Sequence, residues 1–210
     1  MIKNIEGLTP EKEFLDILQQ KISTCSREVT IAKLDIDNFE TVNRFYGEPI
    51  GDQVIRKLAH VLANNLPKNA LVCRTYKDEF VVLLDATPRD TGALVIEEIR
   101  TYFDEHLLLV GEPAKEIGVQ FSAGVASFPQ NGKTVELLMD AVDRAIKTAK
   151  SKGKNQVQTA QNDTWVKKCM MLRREMADEL NQLSRRLDKT EAGLFREALQ
   201  DLIDKYHPSE

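Results

Sequence analysis

Two short acidic segments, each joined to an apolar run, constrain this chain most. The first follows Val29 to Leu34 and reads Asp35-Ile36-Asp37-Asn38-Phe39. The second, Asp78-Glu79, lies between Arg74-Thr75-Tyr76-Lys77 and the run Phe80 to Leu84. Short apolar runs rich in β-branched residues read as buried strands. Carboxylates at the ends of adjacent strands can hold a hard divalent cation, and such a cation can hold a triphosphate. The plainer alternative is a set of solvated or ion-paired hairpin carboxylates. What lies around the two segments decides between them.

Around them the punctuation alternates between helix and strand. Thr9-Pro10-Glu11 reads as a helix start, and Phe14, Leu15, Leu18 and Ile22 supply its apolar stripe. Val29 to Ile36 reads as a strand. Val42 to Phe45 and Val54 to Leu66 read as two helices broken between Gly47 and Gly51. Ala70 to Arg74 and Phe80 to Leu84 read as strands joined by a tight turn. A helix over 91–107, a strand over 119–128 with Gly124 as a weak point, a helix over 135–150 ending near Gly153, and an edge strand over 156–159 complete the pattern. Helices interleaved with a hairpin and single strands predict an α+β fold, a mostly antiparallel sheet with helices packed on it. Gln158 to Asp163 is small and polar and reads as a linker, which divides the chain into domains at 1–160 and 163–210.

At 210 residues there is room for one sizeable core and one small module. The net charge of −4 neither requires nor excludes a nucleic-acid partner. No apolar run approaches the roughly 20 residues that span a bilayer, and no signal-peptide pattern precedes Lys3, so a cytoplasmic location without a membrane partner is expected. Cys25, Cys73 and Cys169 have no metal-ligand spacing and read as reduced, mostly buried thiols. His60, His106 and His207 form no cluster with them.

The segment from Gly7 to about Thr159 resembles the GGDEF family of diguanylate cyclases. Gly7-Leu8-Thr9 with Phe14 is similar to the family's opening motif. Leu34 to Glu40 with Val42-Asn43 is similar to its L-D-x-D-x-F-K-x-x-N, and Gly47-Glu48 with Gly51-Asp52 to its G-H-x-x-G-D. Asp143 with Lys150-Ser151-Lys152-Gly153-Lys154-Asn155 is similar to its closing motif, and Asp78-Glu79-Phe80 to its signature. The resemblance implies a palm or ferredoxin-like nucleotidyl-cyclase sheet. It also implies Mg²⁺ held by Asp35, the Ile36 carbonyl and Asp78, with Asp78 and Glu79 as the catalytic pair. Asn43 and Asp52 would read a purine, and Lys150 and Lys154 would neutralise phosphates of GTP or a related purine nucleotide. Acceptors at positions 43 and 52 suit the N1–H and N2–H donors of guanine. The chain departs from the pattern at Pro10-Glu11, where the family has Asn-Arg, at Lys154, where it often has Arg, and at four further places. Tyr76 and Lys77 stand for the two signature glycines, where a side chain is expected to crowd the substrate and impair catalysis. Glu40 replaces a phosphate-binding lysine, and Glu48 replaces a histidine. The family's R-x-x-D product-inhibition motif would fall at Pro67-Lys68-Asn69-Ala70 and is absent.

Beyond the linker the rhythm changes. Trp165 to Leu172 has strand character. Met176, Leu180, Leu183 and Leu187 then fall on one helical face, Asp188-Lys189 breaks the run, and Thr190 caps a second helix with Leu194, Phe195, Ala198, Leu199, Leu202 and Ile203. This small strand-helix-helix module resembles a ribbon-helix-helix DNA-binding domain. That resemblance implies a homodimer whose paired strands enter the major groove of double-stranded DNA. Alternation turns Lys167, Cys169 and Met171 toward the bases, with Lys168, Arg173, Arg174 and the helix start at Thr190 near phosphates. A plain helical hairpin that only dimerises would carry the same apolar stripes. Two functions are therefore expected. The first is a nucleotide-sensing, DNA-binding transcriptional regulator with a catalytically impaired GGDEF domain. The alternative is an active nucleotidyl cyclase whose C-terminal module only dimerises it.

Overall fold

The computed structural model describes residues 7–24, 28–161, 172–187 and 191–206. The chain divides into two units, Met1–Thr164 and Trp165–Glu210. The first unit is built on a five-stranded sheet of order β2-β3-β1-β6-β7. Its central strand, β1 (Val29–Ile36), pairs antiparallel with β3 (Glu79–Asp85) on one side and β6 (Phe121–Phe128) on the other. β2 (Leu71–Tyr76) extends the sheet antiparallel beyond β3, and β7 (Val157–Thr159) closes the far edge parallel to β6.

Strand parity sorts the side chains into two cores. Ala32, Leu34 and Ile36 of β1, with Phe80, Val82 and Leu84 of β3, face α3 (Glu48–Asn65) and α4 (Arg89–Glu105). Val29 and Ile31, with Val81 and Leu83, face α1 (Glu11–Thr24) and α5 (Val135–Ser151). Helices on both faces explain why β1 reads as a continuous apolar run and not as an alternating one. Parity also sets Asp35 and Glu79 on the α1–α5 side, directly opposite each other in the register.

α5 lies so close to the sheet that Gly124 has no room for a side chain. A Cβ there would sit 2.4 Å from the Val142 carbonyl oxygen and 2.5 Å from the Ile146 nitrogen. The weak point expected at Gly124 is thus a close backbone approach between strand and helix. Three further expectations are corrected. The break between α2 (Phe39–Tyr46) and α3 is Gly47 alone, at φ +85, and Gly51 lies inside α3. Leu108–Val110 (β4) and Lys115–Ile117 (β5) form a separate two-stranded sheet, with Leu108, Val110 and Ile117 sealing the α3–α4 core. Residues 158–161 are not a free linker. Gln158 and Thr159 belong to β7, and the buried Ala160 donates its N–H to the Val125 carbonyl at 2.6 Å and accepts from Arg89 and Asn131.

The second unit contains α6 (Arg174–Leu187) and α7 (Glu191–Tyr206), linked by an Asn181 to Glu191 hydrogen bond of 3.0 Å. Met176, Leu187, Leu199 and Leu202 remain about half exposed within the chain. The expected strand over 165–172 lies outside the described residues, apart from Leu172, which is in no strand. Among the described residues no helix is long and apolar enough to cross a membrane.

Candidate active site

The β1 terminus, the β2–β3 turn, α2, the start of α3 and the end of α5 converge on one cleft of ≈ 610 Å³. Asp35, Ile36, Asn43, Asp52, Asp78, Glu79, Lys150 and Lys154 all border it. Residues separated by more than a hundred positions in sequence thus meet in one place. Tyr76, Lys77, Glu40 and Glu48 border it as well.

At one end the carboxylates of Asp35 and Asp78 approach each other. Burial pushes the Asp35 carboxyl up, opposed by Lys150, whose ammonium lies 2.6 Å from it. Burial, and then the charge of Asp35, lift Asp78 from its ordinary 3.8 to about 6. Two carboxylates that resist ionising together are both favoured in their charged form by a cation beside them. Among the described residues no group of three or more His, Cys, Asp or Glu side chains forms a metal site. Two carboxylates, a strand-end carbonyl at Ile36 and open volume beside them nevertheless fit Mg²⁺. That ion keeps its remaining octahedral positions for water and phosphate oxygens.

The two-residue turn Lys77-Asp78 joins β2 to β3, with Tyr76 paired to Glu79. Lys77 sits at φ +22, in the left-handed region that favours glycine. Arg74 reaches across the turn, its Nε donating to the Lys77 carbonyl at 2.7 Å. Tyr76 stands at the border of the cleft. Its side chain is 62% exposed, and the Lys77 ammonium lies 5.4 Å from its ring centroid.

At the other end Asn43 presents a buried Oδ1 with no hydrogen-bond partner. Gly51 makes the room for it, since a Cβ at position 51 would lie 1.9 Å from that oxygen. A buried acceptor without a partner is costly, and Asn43 is among the residues lining the cleft, where a ligand's N–H could complete it. Lys154 donates to Asn38 Oδ1 at 2.5 Å. Its backbone is fixed from behind, because the Asn155 N–H donates at 2.9 Å to Asp37, which also accepts from the Ser122 hydroxyl. Both Lys154 and Asn155 have positive φ, at 66 and 46. Asp37 is therefore a buried strut that sets the 153–155 loop.

Sequence reading missed Lys33. Its ammonium lies 3.0 Å from Glu79 and 2.9 Å from Asp143 of α5. A lysine inside an apolar run, two positions before Asp35, was the available signal. Cys73 is buried and its thiol is pushed up to about 12 by burial, far from nucleophilic use. Of the residues expected to face DNA, most (Lys167, Lys168, Cys169, Met171 and Thr190) lie outside the described residues, while Arg173 and Arg174 are exposed at the start of α6.

A mixed sheet with a cleft lined by carboxylates and lysines at the end of its central strand defines a nucleotidyl-cyclase palm. Residues 7–156 match the family described as "Diguanylate cyclase, GGDEF domain", and the chain belongs to that family. It is 32% identical over 143 residues to the response regulator PleD of Caulobacter vibrioides, covering 68% of this chain and 32% of PleD. It is 31% identical over 157 residues to the diguanylate cyclase DgcM of Escherichia coli K12, covering 73% of this chain and 37% of DgcM. The chain thus spans about a third of the length of these curated relatives. Among solved structures, the coiled coil and GGDEF domain of DgcB from Caulobacter crescentus, in complex with c-di-GMP, superposes with TM-score 0.67 at 26% identity. That match covers 73% of this chain and 82% of the DgcB chain. The active GGEEF domain of a diguanylate cyclase from Vibrio cholerae shares the fold, with TM-score 0.67 at 23% identity over 73% of this chain and 98% of that one. These comparisons correct the expectation of a DNA-binding transcriptional regulator. The family and the relatives point to diguanylate cyclases, in line with the alternative reading.

Proposed function

We propose that this protein is a diguanylate cyclase that binds GTP with Mg²⁺ and joins two GTP molecules into cyclic di-GMP. The observation that carries the proposal is the convergence on one cleft of Asp35, Ile36 and Asp78 at one end and Asn43 and Asp52 at the other, with Lys150 and Lys154 beside them. When bound, Mg²⁺ would polarise phosphate oxygens and offset the charge of the transferring group.

The chain's own residues do the rest. The Asn43 carbonyl oxygen and the Asp52 carboxylate accept from the guanine edge, and Gly51 keeps Asn43 in place. Lys150, already an ion-pair partner of Asp35, can turn to a phosphate once a cation occupies the carboxylates. Lys154 meets the phosphates from a loop that Asp37 holds still. Phosphoryl transfer asks the protein chiefly for such positioning and charge stabilisation. The 3′-hydroxyl of one GTP attacks the α-phosphorus of the other and pyrophosphate leaves, so two loaded domains must meet. The exposed apolar faces of α6 and α7 serve to pair two copies, which raises the effective concentration of one site at the other.

The test is incubation of the purified protein with GTP and Mg²⁺, with products separated by chromatography and identified by mass. Cyclic di-GMP that disappears in Asp78→Ala supports the proposal. No product from a folded protein over hours overturns it.

A further inference from the structure

The catalytic-side carboxylate Glu79 is not left to solvent. Parity puts it on the α1–α5 face of β3, and the same parity puts Lys33 on that face of β1. In the register Glu79 stands opposite Asp35, while Lys33 stands opposite Val81, one diagonal step away. Two carboxylates directly opposite on adjacent strands repel. Each is answered by its own lysine from a different element, Asp35 by Lys150 of α5 and Glu79 by Lys33 within the sheet. Lys33 has a second hold, on Asp143 of α5 at 2.9 Å. Its side chain is only 15% exposed, so it cannot swing into solvent as a surface lysine does.

We propose that Lys33 is a positioning residue for Glu79. It clamps that carboxylate toward α5, cancels its charge, and so leaves the cleft able to accept a triphosphate. The inference rests on the reading of the cleft as a Mg·GTP site and deepens it. Without Lys33, Glu79 becomes an uncompensated anion at the edge of the volume where three phosphates must sit. Asp143 would lose its partner too, but it stands on α5 outside the residues that line the cleft. Lys33 would therefore act on the ligand through Glu79 alone. Arginine can span the same two carboxylates and keep the charge. Methionine keeps the aliphatic bulk without it.

The experiment measures Mg²⁺-dependent binding of GTP by titration calorimetry for the full chain and for Lys33→Arg, Lys33→Met, Glu79→Gln and the double variant Lys33→Met/Glu79→Gln. Melting curves establish that each is folded, and the double variant, which buries no unpaired anion at Glu79, keeps the comparison available where Lys33→Met alone fails to fold. The expected result is that Lys33→Met weakens GTP binding about tenfold, as one uncompensated charge near a polyanion would. Lys33→Arg stays within about twofold of the parent, and the double variant binds like Glu79→Gln within about twofold. Undiminished GTP binding by Lys33→Met overturns the inference. So does a double variant that binds far more weakly than Glu79→Gln, because Lys33 would then act by another route. A parent chain that shows no Mg²⁺-dependent GTP binding removes the nucleotide reading itself and this inference with it.

Discussion

Replacing Asp78 by asparagine should make the ligand-free protein more stable while destroying the site. Asp78 is half-buried, faces Asp35 of β1 and Glu79 of its own hairpin, and has Lys150 of α5 and Arg74 of β2 as the nearby cations. Burial leads and Asp35 follows in lifting its carboxyl from 3.8 to about 6. The folded state therefore holds this proton more tightly than the unfolded chain does. The stabilisation from proton binding is complete below about pH 4 and is lost as pH rises through about 6. A shift of that size corresponds to about 3 kcal/mol for a fully shielded group. Asp78 is only half shielded, so about 1 kcal/mol is the better expectation. Asparagine cannot ionise and keeps nearly the same shape. Asp78→Asn should then melt about 2–4 °C above the parent at pH 8, by an increment of about 1 kcal/mol in a domain of this size. The difference should close as pH falls toward 4. Saturating GTP with Mg²⁺ should raise the melting temperature of the parent and leave the variant unmoved. Scanning fluorimetry across pH, with and without ligand, measures both. A variant no more stable than the parent at pH 8, or an advantage that does not depend on pH, would refute the reasoning.

Other outcomes follow from the same geometry. Lys150→Met removes a charge-assisted contact worth about 1.5–3 kcal/mol, so calorimetry should show GTP binding weakened by at least about tenfold. Gly124→Ala drives a methyl group into the α5 backbone and should cost about 1–3 kcal/mol in urea denaturation. Lys77→Gly relieves a left-handed backbone and should add up to about 1 kcal/mol to stability without lowering cyclase output in the product assay. A chain shortened to end at Gln161 should scatter light as a monomer and lose product formation at low protein concentration, where two domains seldom meet.

The strands β1 and β3 and the helices α1 and α5 are visible in the sequence because each carries a long apolar signal. The motif spacing also foretells that Asp35, Asn43, Asp52, Asp78, Lys150 and Lys154 gather at one cleft. What escapes detection is short or depends on partners. β4 and β5 have three residues each, too few for alternation to register. Residues 158–161 look like a linker because they are polar, yet their order comes from backbone hydrogen bonds to β6 that composition does not encode. Lys33 looks like a blemish in an apolar run, since only the tertiary structure brings Asp143 to it. Tyr76 and Lys77 read as an obstruction from residue size alone, whereas the structure shows how the turn is retained without glycine, by a left-handed Lys77 held through its carbonyl by Arg74.

Gly51 has a consequence for how such a domain can decay. The helix around it would accept alanine readily, and alanine is the better helix former. The obstacle is Asn43, whose carbonyl oxygen occupies the place a methyl group would take. A methyl group there would press on the flexible Asn43 amide first and on the Phe39 ring at 3.1 Å second, so the part of the change that the helix absorbs is set against the part that turns Asn43 out of place and blurs the distinction between one base and another. Screens that select for solubility or thermal stability would not notice that loss. Position 51 is thus a point where selection for a sturdy protein and selection for a discerning one pull in opposite directions.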